Sequence, residues 1–437
     1  MSALIFLAAT LASATGRPDL GGRVLDASGD PVAGARVMMY TAGARVGVNP
    51  FCPSCYADCG KSAETGDDGS FLIRSLDPSL IFRVLVVSEG YDPTFVEKVD
   101  PRKGPIEARL SRLDPKRYGP RHSIRGRVID PGGSPVVGAR VWPIEFKTEA
   151  YSGFAPGIVD PLAVTNLRGE FALTSRSPAE HISVRVNARG LAPHVFSKLP
   201  PGDAVHELRL GRGVGVTGRV LRDGKPLPGV VVGMVQSSRI AWTFLGSEEI
   251  ATDGSGRFLF SNVAPDENYR VYGIMNSLKT SGSVRIVQVQ AGGDGTTADV
   301  GDLAVGPGHR LSGRIVLSDG KPIPAHTRVS VSRNWAWDRQ MTEVDGEGRF
   351  TFEGLPSEIY SVYSPVQGYR LSPKNECASP YNPGSLEGRV DRDVSDLTVL
   401  YEPGERLDPE FGAAAVNRFD ARKLGLIGGV DPRTGRP

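Results

Sequence analysis

The sequence predicts an all-β protein, a tandem array of four seven-stranded antiparallel β-sandwich modules. Three observations carry that prediction. Apolar residues are mostly Val, Ile, Leu and Phe in runs of four to six, broken by Gly, Pro, Asp, Asn or Ser, which is how strands joined by tight turns read. One opening motif recurs four times along the chain, and a turn leading into a Phe strand follows each copy. Helix-period stretches are nearly absent.

The first opening runs Gly22-Arg23-Val24-Leu25-Asp26 to Pro31-Val32-Ala33-Gly34-Ala35-Arg36-Val37. The second runs Gly126-Arg127-Val128-Ile129-Asp130 to Pro135-Val136-Val137-Gly138-Ala139-Arg140-Val141. Gly218-Arg219-Val220-Leu221 to Pro226-Leu227-Pro228-Gly229-Val230 and Gly313-Arg314-Ile315-Val316 to Pro322-Ile323-Pro324-Ala325 complete the set. From Gly to Pro the spacing is nine residues in three copies and eight in the third. Each reads as a β-branched strand, a polar turn, and a Pro that sets the entry to a second strand, either a β-hairpin or a β-arch.

The second element is Asp67-Asp68-Gly69-Ser70-Phe71, then Asn166-Leu167-Arg168-Gly169-Glu170-Phe171, Asp253-Gly254-Ser255-Gly256-Arg257-Phe258 and Asp345-Gly346-Glu347-Gly348-Arg349-Phe350. Asp or Asn caps the turn, Gly takes the positive-φ position, and an alternating strand follows. A third strand is expected at 82–88, 182–188, 269–275 and 359–364, and a closing strand at 106–110, 205–210, 298–305 and 397–402. The opening glycines recur every roughly 90 to 105 residues, the size of a domain rather than a solenoid turn. The expected boundaries are modules at 17–113, 120–211, 213–306 and 307–403, with a C-terminal tail at 404–437.

The Gly-Arg-Val opening, the Pro-x-x-Gly-Ala-x-Val strand and the Asp-x-x-Gly-x-Phe turn resemble the carboxypeptidase regulatory-like domain. That family implies a transthyretin-like, immunoglobulin-like seven-stranded sandwich that recurs in tandem in secreted proteins. It overlaps the starch-binding, carbohydrate-binding-like folds, and related domains accompany peptidases, outer-membrane receptors and adhesive surface proteins. One fold hosts many functions, so the resemblance implies fold more strongly than activity. The fourth copy departs from the pattern with Ala325-His326 where Gly-Ala is expected, and the second has Asn166 in place of Asp.

Residues Leu4 to Ala12 form an apolar run followed by the small-x-small pattern Ala12-Ser13-Ala14, read as a signal peptide at 1–14, although Met1-Ser2-Ala3 carries no Lys or Arg. No other stretch reaches the ~18 to 20 apolar residues that a membrane helix needs. With 51 Lys and Arg against 49 Asp and Glu, the net charge of +2 gives no sequence-wide field for nucleic acid.

Catalytic patterns are missing. None of the six histidines has Glu three positions on, as a peptidase zinc pair requires, and His206-Glu207 sits in an alternating closing strand. There is no Gly-x-Ser-x-Gly elbow. Cys59-Gly60-Lys61-Ser62 imitates the end of a phosphate-binding loop, but Cys55 stands where the leading Gly belongs. The Asp-Gly turns carry too few acids for calcium, and turn chemistry accounts for them. The sequence therefore implies no enzyme, no metal and no cofactor.

Cys52, Cys55 and Cys59 cluster in the first module and Cys377 stands alone in the fourth. The Cys52-Pro53-Ser54-Cys55 spacing lacks the strand-helix setting of a redox motif, and zinc would need a remote fourth ligand. One disulfide within the trio is expected, stapling a long loop in an oxidising compartment. Cys377 lies two modules away, on the order of 60 Å in an extended array of domains this size, whereas a disulfide needs Cα atoms within about 7 Å.

Trp335-Ala336-Trp337 places two indoles on one face of an extended segment, about 7 Å apart, beside Arg333, Asp338 and Arg339. Trp242 lies in the corresponding insert of the third module. Trp335, Trp337 and Trp242 are thus a candidate ligand platform for sugar rings; the alternative is that they fill sandwich cores. The connection that carries them varies most among the copies, shortening from Gly22–Gly69 to Gly313–Gly348. The functional expectation is a non-catalytic secreted, periplasmic or cell-surface structural or interaction protein, with a polysaccharide or another surface protein as partner. The alternatives are a carbohydrate-binding protein and an accessory subunit of a peptidase or outer-membrane transporter.

Overall fold

A computed structural model describes residues 16–46, 53–54, 56–113, 119–149, 151–153, 157–237, 247–379 and 384–404. The signal segment, Cys52, Cys55, Trp242 and the tail beyond Gly404 lie outside the described residues. The chain divides into two compact units, 1–115 and 116–437.

In the first unit, strand Leu20–Asp26 lies between Ser70–Ile73 and Ile106–Leu110 in one sheet. The second sheet runs Ser62–Glu64, Arg36–Ala44, Leu80–Val87, Thr94–Val99. The opening strand and its successor therefore sit in different sheets, so the opening is a β-arch. Asp26 shapes the bend, its Oδ1 accepting the amides of Ser28 at 2.8 Å and Asp30 at 3.0 Å. Alternation then turns Leu20, Val24, Phe71, Ile73, Phe82, Val84 and Val86 into one core between the sheets.

The second unit repeats this plan in three sheet pairs. The first pair joins Glu170–Thr174, Ser123–Ile129 and Val205–Arg209 to a sheet built on Arg140–Lys147, His181–Asn187 and His194–Leu199. The next sets Val214–Arg222, Arg257–Val263 and Thr297–Ala304 over Ser247–Ala251, Val231–Gln236, Asn268–Gly273 and Val287–Gln290. The last sets Arg349–Leu355, His309–Leu317, Val394–Pro403 and Tyr369–Leu371 over Arg339–Glu343, Arg328–Arg333, Glu358–Tyr363 and Ser385–Val390. Each pair encloses its own apolar cluster. Among the described residues the one α-helix is the single turn Met275–Leu278.

The all-β sandwich expectation is met, with one difference in strand direction. In all four pairs the closing strand runs parallel to the opening strand, as in Gly22↔Ile106 and Gly313↔Leu397. The chain leaves the second sheet and crosses over before it closes, so it arrives in the same direction as the strand it joins.

Two glycines explain why the motif is written as it is. The Phe ring of each turn strand folds over the opening Gly: a Cβ on Gly126 would lie 2.4 Å from Phe171 Cε1. In the turn, Gly256 has φ +73° and a Cβ there would meet Val220 O at 2.7 Å, while Val220 N donates to Gly256 O at 2.8 Å. Gly69, Gly169 and Gly348 repeat that arrangement.

Candidate functional site

The described polar residues converge most closely where the third and fourth sheet pairs meet. Strand Arg328–Arg333 points Val329 and Val331 into the fourth core, and alternation carries Arg333 to the same face at the strand's end. There the guanidinium is 0% exposed, and all five of its N–H groups are engaged. Nε donates to Glu358 Oε2 at 2.8 Å and Nη2 to Glu358 Oε1 at 2.7 Å. Nη1 donates to Asp338 Oδ2 at 3.2 Å, and the remaining bonds reach carbonyls of the third pair, Gly273 O at 3.0 Å and Val284 O at 3.2 Å.

The carboxylates complete the joint from the other direction. Asp338, 1% exposed, accepts Met275 N at 3.0 Å, and Glu358, 12% exposed, accepts Ile286 N at 2.8 Å. Met275 itself packs into the fourth apolar cluster. Trp337 N donates to Tyr272 Oη at 3.0 Å, and the Arg333 guanidinium lies 5.3 Å from the Tyr272 ring centroid. Burial raises the Asp338 carboxyl above its ordinary value despite the neighbouring Arg333. For Arg333 burial works the opposite way, but the Glu358 hydrogen bond and charge prevail and hold the guanidinium above its usual value. Burial also pushes up the Tyr272 phenol.

The structure revises the reading of the tryptophans. Trp335, Ala336 and Trp337 lie in the turn between Arg328–Arg333 and Arg339–Glu343, not in an extended segment, so strand alternation does not set their faces. Trp337 is 50% exposed. Trp335 is half-buried beneath Arg270, whose guanidinium carbon is 5.0 Å from the ring centroid. Arg333 and Asp338, read from sequence as charged neighbours of an open platform, are instead buried in the joint. Trp242 cannot be placed beside them, because it falls outside the described residues.

The phosphate-loop look-alike is structural. Lys61 Nζ donates to Ser75 O at 2.7 Å and pairs with Oδ1 of the buried Asp58 at 2.7 Å, while Arg17 Nη2 bonds both Asp58 oxygens at 2.8 Å. Cys59 carries a free thiol that donates to Pro53 O at 3.4 Å; burial pushes it up to about 11. Cys377 is free and exposed. Beside the joint lies a cleft of about 350 Å³ lined by Ser283, Arg285, Asp302, Pro307 and Ser357. His309 Nε2 lies 2.8 Å from Ser357 Oγ there. Among the described residues, no three of His, Cys, Asp and Glu gather where they could hold a metal ion, and no helix is long and apolar enough to cross a membrane.

Sequence reasoning named Arg333 only as a charged neighbour of the indoles, not as a buried joint residue, and did not find Glu358 or Tyr272. The available signal was parity, since an Arg two residues after Val331 on a core-facing row needs buried partners.

Fold and site together define a multi-sandwich β protein in which buried charged side chains join neighbouring sheet pairs. The sequence matches no family model and no curated protein, so the resemblance to carboxypeptidase regulatory-like domains stands at the level of the β-sandwich. Among solved structures, the chain is similar to the minor pilin GBS52 of Streptococcus agalactiae, with 14% identity over 44% of this chain and 98% of that one, at a TM-score of 0.24. A streptococcal ancillary pilin matches at 12% identity over 65% of this chain and 100% of its own, with a TM-score of 0.21. The shaft pilin SpaA of Lactobacillus rhamnosus GG matches at 12% identity over 44% and 98%, with a TM-score of 0.18.

Proposed function

We propose that the protein is a non-catalytic structural or interaction protein, secreted, periplasmic or on the cell surface, built of four sandwich modules at 17–113, 120–211, 213–306 and 307–403. One observation carries the reading. The most elaborate polar cluster, Arg333 with Asp338 and Glu358, directs its hydrogen bonds at the adjoining sheet pair rather than into a cleft. Charge arranged in this way fixes neighbours and leaves surfaces to be displayed. This reading keeps one disulfide within Cys52, Cys55 and Cys59; because Cys59 is free, the bond joins Cys52 to Cys55, both of which precede it in the chain. Surface labelling and protease shaving of cells expressing the full chain test it: labelling of intact cells or recovery from the medium is expected. Retention in the cytoplasm, or peptide, ester or phosphoester hydrolysis by the purified chain, would overturn it.

A second reading, binding of a polysaccharide, is favoured by the half-exposed indole of Trp337 beside the Arg333 joint. Retention on immobilised polysaccharide that is lost in Trp337→Ala supports it. Absence of retention by the wild-type chain rejects it.

A further inference from the structure

We propose that the joint between the third and fourth sheet pairs is a proton-tightened latch: Asp338 takes up a proton and the joint closes more firmly as pH falls. The geometry has one guanidinium serving two carboxylates. Arg333 is fully buried, Asp338 nearly so and Glu358 largely so, which gives a net negative cluster with little water to solvate it.

The groups facing Asp338 add to the imbalance. From the strand Ser247–Ala251 comes Glu249, whose carboxyl is raised by partial desolvation and then by the Asp338 charge. The strand Asn268–Gly273 offers Tyr272, its Arg270 lying over Trp335, the strand Glu358–Tyr363 offers Glu358 and Tyr360, and Arg339 opens the strand that follows Asp338. The short helix Met275–Leu278 has no titratable side chain and contributes the Met275 amide. Arg333 is the positive charge bonded to Asp338.

Protonation removes no bond. Both hydrogen bonds to Asp338, from Arg333 Nη1 and Met275 N, fall on Oδ2, leaving Oδ1 to carry the proton. The direction follows from linkage. An acid whose value is raised in the closed joint and ordinary in the open one binds more protons when closed, between the ordinary value of about 3.9 and the raised one. Lowering the pH through that window therefore favours closure. Above it, the bonds of Arg333 to Gly273 O and Val284 O and those of the Met275 and Ile286 amides still hold the joint, without the added proton.

Hydrogen exchange on the full chain tests the latch through the amides of Met275 and Ile286, with Val331 and Val362 of the fourth core as controls. Between about pH 7 and about pH 4, protection at the two joint amides, corrected for intrinsic rates, should rise on acidification by up to about tenfold per pH unit within the window, while the controls change less. Asp338→Asn, which mimics the protonated acid, should remove the pH dependence. Arg333→Met should lower joint protection at every pH. A flat or opposite wild-type profile overturns the proposal even if neither variant folds. An unchanged slope in D338N, or full joint protection in R333M, overturns it as well.

Discussion

The hydroxyl of Thr252 donates a 2.8 Å hydrogen bond to the carbonyl of Leu227 across the entry to the strand Val231–Gln236. The same oxygen accepts the Val230 amide at 3.0 Å. Thr65 does this between Val32 and Ala35, and Thr165 between Val136 and Ala139. In the fourth pair Val344 takes the Thr position, and a hydroxyl comes instead from the turn just before the strand Arg328–Arg333, where Thr327 donates to Pro324 O at 2.6 Å. The clasp satisfies two backbone groups that the arch would otherwise bury unpaired. Thr252→Val keeps the shape and strands both, so it should cost about 1 to 3 kcal/mol in urea unfolding.

Gly256 is the turn position least open to substitution. Gly256→Ala would put a Cβ against Val220 O in a left-handed conformation, and a loss of about 2 kcal/mol or more is expected. Gly254→Ala, at a neighbouring position with nothing within 4 Å, should be close to neutral. Thermal melts of the two variants separate backbone constraint from general turn sensitivity.

Acid should weaken the first unit through Asp100. Arg45 bonds both oxygens of this buried carboxylate, Nη1 to Oδ2 and Nη2 to Oδ1 at 2.7 Å, and Arg102 N adds a bond at 3.0 Å. The Arg45 hydrogen bonds hold the carboxyl well below its ordinary range. A depressed folded value means stability that is present above the unfolded value of about 3.9 and lost as pH falls through the folded one. Arg45→Met should therefore lower stability at neutral pH, and its difference from wild type should narrow in urea melts at about pH 3.

The two indoles of the Trp335–Trp337 turn should separate cleanly. Trp337→Ala removes a half-exposed ring and should change stability by about 0.5 kcal/mol or less. Trp335→Ala removes the ring under Arg270 and should cost about 0.5 to 2 kcal/mol from that contact. Calorimetry of both variants checks the order. If Trp337 proves the costlier, the turn is held by its indoles rather than by Arg333.

Local chemistry was legible in the sequence because it acts between near neighbours. A Gly at positive φ, an Asp or Asn capping a turn and a period-two apolar row each leave a signature within a few residues, and together these announced the turn and the strands that the structure contains, while hairpin and arch stayed equally open for the opening. The partners of Asp338 leave no such trace. Met275 is 63 positions away and Gly273, the carbonyl bonded by Arg333, is 60 away, so their meeting depends on how one sheet pair seats on the next. The same reason governs the closing strands. Val394–Pro403 alternates like an antiparallel strand but joins His309–Leu317 in parallel, a direction set by the crossover path. The sequence by itself determined where strands and turns form, because steric limits on φ and ψ are local. Tertiary structure decided which charges are buried and what they hold, because burial depends on surfaces that distant segments bring together.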